Sequence, residues 1–262
     1  MRKAIGIVPA AGHGSRLRPF RYPKELFPIG YVRGEGGGSD VQLKVVCQYV
    51  LDCLVDASID QAYVVVSDHK FEVIRFLSDG QEYDINLAYL FQKEIKGLPF
   101  AIDCAYRWVR DDVSVLVLPD TILEPRDCVR QVLDFLYETQ ADVVLGVFPT
   151  THPEDLCAVR FDSRGRVHRL YDKEESHGVM NTWGMAAWSP MFTEFLHRSL
   201  QEHAARPHAP DEGELALADI FSKALESGLR VLACEVARGK FWDIGKNSSL
   251  IKARREFESH TL

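Results

Sequence analysis

The chain has 262 residues, 46% of them hydrophobic and 26% charged, with a formal net charge of −7. That composition excludes a disordered chain, which carries too little apolar side chain to offset the entropy of ordering its backbone. No apolar run approaches the roughly 20 residues of a membrane helix, and the acidic balance argues against broad binding to a nucleic-acid backbone.

Short β-branched runs alternate with longer amphipathic stretches. The pattern predicts strands at Ala4–Val8, Ala62–Val66, Leu87–Phe91, Val113–Leu118 and Asp142–Val147, with helices near 44–57, 70–78, 99–110 and 126–139 between them. Near-continuous apolar strands alternating with helices imply an α/β fold whose mostly parallel sheet is covered on both faces. Beyond 150, Val159–Asp162 and Val167–Tyr171 flank Ser163-Arg164-Gly165 and read as a hairpin. Helices near 190–203 and 215–227 and a strand at Leu229–Val236 follow, and no internal repeat is visible. Two stretches read as loops. Tyr31–Asp40 holds four glycines and suits a surface loop or a flap beside a ligand; Ala204–Gly213, with Pro207 and Pro210, suits a solvated connection.

The six cysteines form no Cys-x-x-Cys pair and no zinc-spaced cluster, which fits reduced thiols in a cytoplasmic protein. Gly6 and Pro9 interrupt the apolar start, so it reads as a first strand rather than a targeting segment.

The most informative segment is Val8-Pro9-Ala10-Ala11-Gly12-His13-Gly14-Ser15-Arg16-Leu17-Arg18-Pro19. It leaves a buried strand through small residues that let backbone N–H groups approach anionic oxygens, and Arg16 and Arg18 add cationic forks suited to phosphate. Leu17 stands where the dinucleotide fingerprint needs its third glycine, and no Gly-Lys-Ser/Thr closes a P-loop. Tyr22-Pro23-Lys24-Glu25-Leu26 follows. His13 reads as a solvent-facing loop residue.

The glycine loop with Arg16, followed by Pro23-Lys24-Glu25, resembles the sugar-1-phosphate nucleotidyltransferases, among them the glucose-1-phosphate thymidylyltransferases and the UTP–glucose-1-phosphate uridylyltransferases. Four further stations appear in family order. They are Phe91-Gln92 with Gly97, Leu118-Pro119-Asp120, Tyr171-Asp172-Lys173, and Trp242-Asp243-Ile244-Gly245. Asn181–Trp188, with Trp183 and Gly184, occupies the place of the family's sugar-binding strand. The resemblance covers roughly residues 4 to 250. Asp172 replaces the family's usual glutamate, no proline follows Lys173, and Arg33–Ser39 looks like an insertion.

The resemblance implies a Rossmann-like three-layer α/β/α fold with a mixed, mostly parallel sheet. It implies one catalytic domain over 1–262, with a nucleotide-binding part at about 1–125 and an acceptor-binding part at about 126–262. It implies a reaction of EC 2.7.7 class: an NTP and a sugar 1-phosphate or related phosphorylated acceptor give an NDP-sugar and pyrophosphate. The implied catalytic residues are Arg16, Lys24, Asp120 and Asp243, the two aspartates binding Mg²⁺. Ala11, Gly12, Gly14, Ser15, Gln92 and Gly97 would bind the nucleotide; Asp172, Lys173, Trp183 and Gly184 would bind the acceptor. The Gln92 amide offers a donor and an acceptor to a pyrimidine edge, which favours UTP or dTTP. The departures at Asp172, Trp183 and 33–39 suggest an acceptor other than plain glucose 1-phosphate, such as another phosphorylated sugar or a cyclitol. Little length remains after Leu250 for an assembly domain, and a homo-oligomer is left open. Two alternatives stand beside this reading. One is an inactive nucleotide-sugar-binding regulatory module, which the retained basic and acidic residues disfavour. The other is a GT-A-like glycosyltransferase, disfavoured because Asp120-Thr121-Ile122 lacks the second aspartate of an Asp-x-Asp metal motif.

Overall fold

The computed structural model describes residues 3–14, 22–33, 41–173, 176–206, 213–245 and 247–259. In chain order the strands and helices are β1 (Ala4–Pro9), β2 (Pro28–Arg33), β3 (Val41–Val45), α1 (Val46–Asp56), β4 (Gln61–Val66), α2 (Phe71–Leu77) and β5 (Asn86–Phe91). They continue with α3 (Leu98–Asp103), α4 (Tyr106–Val109), β6 (Val113–Val117), β7 (Thr121–Glu124), α5 (Cys128–Thr139), β8 (Val143–Pro149), β9 (Cys157–Phe161) and β10 (Val167–Asp172). The last are β11 (Asn181–Trp188), α6 (Pro190–Ala204), α7 (Leu217–Glu226), β12 (Val231–Glu235), β13 (Lys240–Asp243) and α8 (Asn247–Ser259).

Seven strands form the central sheet in the order β12-β8-β11-β6-β1-β4-β5. Only β11 runs antiparallel to its neighbours β6 and β8; the other pairings are parallel. The apolar strands look continuous in sequence because both faces are covered. In β6, Val115 and Val117 pack toward α1, α2 and α5, whereas Leu116 packs toward α3, α4, α6 and α7. This alternation builds the expected three layers, with one core on each side of the sheet. No helix among the described residues is long and apolar enough to cross a membrane.

The chain order reverses beside β1. From β1 it crosses to β4 and β5, then returns through β6 on the opposite side. A crevice therefore opens at the carboxyl end of β1, where open α/β sheets take their ligands. A third, smaller core, with Ile29 of β2, Ile122 of β7, Ile244 and Ala253 of α8, closes over this end.

Several boundaries differ from the expectation. Tyr31–Arg33, read as the start of a loop, belongs to β2, which pairs antiparallel with β3. Ile29, Tyr31 and Leu43 have the strand propensity for this, but the neighbouring glycines hid it. Helix α1 accordingly starts at Val46 rather than near 44, where the Gln48 Oε1 accepts the Val45 N–H at 2.7 Å and so turns strand into helix. The stretch read as one helix over 99–110 breaks at Cys104–Ala105 into α3 and α4. Strands β7 and β13 were read only as motif positions, yet they pair antiparallel. Within the two stretches read as loops, 34–40 and 207–212 lie outside the described residues.

Candidate active site

The glycine turn starts from a fixed point. Ala10 donates its N–H to the Val65 carbonyl at 2.7 Å, and Ser67 Oγ donates to the Ala11 carbonyl at 2.9 Å. Ala11 is buried, and a Cβ at Gly12 or Gly14 would meet none of the described residues within 4 Å. Gly14 has φ +63, a left-handed conformation that glycine takes without steric cost. Ser15, Arg16 and Arg18 lie outside the described residues.

Lys24–Leu26 forms a single 3₁₀ turn. From it, the Lys24 ammonium donates to Asp120 Oδ2, with both side chains about five-sixths covered. Asp120 sits in the turn between β6 and β7, tightened by the Thr121 N–H and Oγ1, which donate to the Leu118 carbonyl at 3.1 and 2.7 Å. Asp243 ends β13 and stands opposite Thr121 across the β7–β13 ladder. Ile244 then donates its N–H to the Asp120 carbonyl at 2.9 Å, and Asp243 Oδ1 accepts the Gly245 N–H at 2.7 Å. Two aspartates far apart in sequence thus become near neighbours through one short ladder.

Both line a cavity of about 560 Å³. Asp172, Lys173 and Trp183 line the same cavity. The β9–β10 hairpin that presents the first two is bolted to β11, where Asn181 Oδ1 accepts the Val159 N–H at 2.8 Å and Nδ2 donates to the Val159 carbonyl at 3.0 Å. Lys173 has φ +52, and its N–H donates to the Leu156 carbonyl at 2.8 Å. A second cavity, about 710 Å³, shares Asp155, Leu156, Phe241 and Asp243 with the first and adds His152, Lys240 and Lys252.

Gln92 lies just beyond β5, anchored by its N–H on the Val66 carbonyl at 2.8 Å. The residue is 5% exposed, and its Nε2 has no hydrogen-bond partner among the described residues. An orphaned buried amide donor is costly and suits a carbonyl brought by a ligand. Gly97 starts α3 with φ +102, and a Cβ there would lie 2.7 Å from Glu214 Oε1, so only glycine admits Glu214 so near.

Two acceptor-side expectations are modified. Trp183 is 9% exposed and meets Phe221 edge-on at 5.7 Å, so it is core that also forms cavity wall, with its face committed to packing. Gly184 does not line either cavity. A Cβ there would come within 2.8 Å of the Phe241 ring and 3.1 Å of Phe148, so its smallness serves the seating of β13 under Asp243.

Sequence reasoning missed three contributors. Glu214 lines the same cavity as Asp120, Ser67 braces the glycine turn, and Lys70 forms a buried pair with Glu25. Glu214 stands next to a glycine in an acidic stretch that reads as solvent-facing. The other two occupy a polar turn, Ser67-Asp68-His69-Lys70, whose place at a strand's carboxyl end was the available signal.

Among the described residues no group of three or more His, Cys, Asp or Glu side chains is arranged so that it could hold a metal ion by itself. A metal at Asp120 and Asp243 would have two hard carboxylate donors and would complete its shell from phosphate oxygens and water, a donor set that fits a small hard cation.

The chain is similar to known proteins over nearly its whole length. The model of the nucleotidyl transferase family matches residues 5–260. A Haloferax volcanii protein named low-salt glycan biosynthesis nucleotidyltransferase Agl11 is 27% identical over 255 residues, covering 95% of this chain but 65% of the relative. The UTP–glucose-1-phosphate uridylyltransferase of Bacillus subtilis is 27% identical over 286 residues, covering 98% of this chain and 91% of its own. In three dimensions, a UDP-glucose pyrophosphorylase complexed with UDP-glucose shares the fold at a TM-score of 0.77 and 18% identity, covering 99% of this chain and 100% of the other. With a match that runs from β1 into α8 and takes in every station of the cavity, the chain belongs to the nucleotidyl transferase family.

Proposed function

We propose that the chain joins an NTP, with UTP or dTTP favoured, to a sugar 1-phosphate or a related phosphorylated acceptor, releasing pyrophosphate. The observation that carries this reading is that Asp120 and Asp243 line one cavity with Asp172 and Lys173, while Lys24 donates to Asp120. Two carboxylates that share a cavity with a lysine suit a reaction in which two phosphates meet.

An oxygen of the acceptor phosphate attacks the α-phosphorus. One P–O bond forms there, and the bond to the β-phosphate bridging oxygen breaks, its electron pair leaving with pyrophosphate. A phosphate monoester is already nucleophilic at neutral pH, so alignment and charge neutralisation carry the catalysis. Mg²⁺, held by Asp120 and Asp243, supplies neutralisation of charge on the reacting phosphates when bound. Lys24, paired with Asp120, bridges donor and acceptor phosphates in this reading, and Lys173 orients the acceptor phosphate. The Gln92 amide and the backbone at Gly97 read the base, while Ala11, Gly12, Gly14 and Ser15 enclose the triphosphate. Arg16, by its place in the motif, takes charge on the departing pyrophosphate. The free thiols fit a reducing compartment such as the cytoplasm.

Pyrophosphate release with an NTP panel, with and without phosphorylated acceptors, tests the reading. Release that requires both substrates and Mg²⁺ supports it. NDP release from an NDP-sugar and a hydroxyl acceptor, with no pyrophosphate in any mixture, would point to glycosyl transfer instead.

A further inference from the structure

Glu25 and Lys70 form an ion pair sealed from solvent. The residues are 1% and 3% exposed, and Lys70 Nζ donates to the two Glu25 carboxylate oxygens at 2.9 and 2.7 Å. Burial pushes the Glu25 carboxyl up, and the charges of Lys70 and Lys24 pull it back. Burying two charges is costly, and well-packed apolar side chains often stabilise a fold as well or better. Stability alone therefore gives a weak reason for the pair.

Its placement gives a stronger one. Glu25 is the middle residue of the 3₁₀ turn that carries Lys24, and Lys70 immediately precedes α2 at the carboxyl end of β4. Within the turn the Leu26 N–H donates to the Pro23 carbonyl and the Phe27 N–H to the Lys24 carbonyl, both at 3.1 Å, and the Phe27 carbonyl accepts the Val46 N–H at 3.0 Å. Such a short turn is marginal by itself. Lys70 also donates its own N–H to the Ser67 carbonyl at 3.0 Å, and Ser67 braces Ala11. Residues 67–70 thereby tie both the glycine turn and the Lys24 turn to β4.

We propose that the buried Lys70–Glu25 pair positions Lys24, holding its ammonium against Asp120 where the phosphates react. Lys70 is a positioning residue: it acts through Glu25 and the turn. The proposal rests on the role given to Lys24 in the reading above.

A double-mutant cycle on kcat separates positioning from plain structural support. Lys70→Met lowers kcat on the order of 10- to 100-fold, the scale of a small misplacement of a reacting group. In a Lys24→Ala background the same change costs less than about twofold. Lys70→Arg, which keeps a forked charged pair, recovers most of the activity. The double variant Glu25→Gln/Lys70→Met, which leaves no lone buried charge, repeats the cycle if Lys70→Met does not fold. An equal loss in both backgrounds, or an unchanged kcat, overturns the proposal. Hydrogen exchange judges the pair without reference to activity: the amides of Leu26 and Phe27 exchange faster in the variant, and unchanged exchange also overturns it. A wild-type chain that releases no pyrophosphate from any substrate mixture defeats the functional reading, while the exchange result still decides the positioning.

Discussion

At the scale of a single residue, the proposed reading of the base rests on Gln92. Its amide nitrogen is buried without a hydrogen bond among the described residues, a state that costs folding free energy and that a ligand's acceptor would offset. Gln92→Leu keeps the volume and removes the orphan donor. The expected outcome is a melting temperature no lower than that of the parent chain, with KM for the NTP raised roughly 10- to 100-fold, the equivalent of one buried hydrogen bond. Steady-state kinetics and thermal unfolding check both halves, and an unchanged KM would remove Gln92 from base recognition. Gln92 was legible in the sequence because it follows an apolar strand and precedes a glycine. Glu25 and Lys70 were not, since neighbouring charged residues in turns are ordinarily solvated and nothing local marks a lysine whose partner is 45 residues away.

At the scale of elements, the placement of Asp120 and Asp243 depends on strands too short to be recognised alone. Strand β13 spans only Lys240–Asp243, and its register on β7 delivers Asp243 to Asp120. Phe241 seats the strand by packing over Gly184 and against Phe148. A methyl group at 184 would collide with that ring, so Gly184→Ala should destabilise the fold by about 1–3 kcal/mol, the usual cost of overpacking. It should also lower kcat, because the strand that shifts carries Asp243. Thermal unfolding and turnover measured on the same preparation check this; parent-like values of both would show that β13 is not held from below. The long buried strands such as β6 were readable because covered faces demand unbroken apolar runs. The β2–β3 pair was not, because its strand residues flank a run of glycines, and α3 and α4 merged in sequence because the break at Cys104–Ala105 carries no glycine or proline.

Across the whole molecule, the reversal of strand order at β1 opens a crevice at the carboxyl ends of the strands. The mixed sheet explains how Asp172 and Lys173 reach the cavity of Asp120: antiparallel β11 starts with Asn181 at this same end and anchors the hairpin that carries them. An overall charge of −7 is compatible with the proposed phosphate chemistry, because Lys24 pairs with Asp120, Lys173 lines the same cavity as Asp120, and a cation on Asp120 and Asp243 would reverse the local sign. The order of motifs let the sequence disclose this assembly, whereas the cavity's size and the contributions of Glu214 and Ser67 required the fold. The central claim concerns which atoms are exchanged. The most direct measurement follows the oxygens of a sugar 1-phosphate whose non-bridging phosphate positions carry ¹⁸O, in reaction with an unlabelled NTP and Mg²⁺. Attack by the acceptor phosphate on the α-phosphorus predicts that all the label stays in the NDP-sugar and that the pyrophosphate is unlabelled by mass spectrometry. Label in pyrophosphate, or hydrolysis of the NTP with no NDP-sugar, would contradict the account.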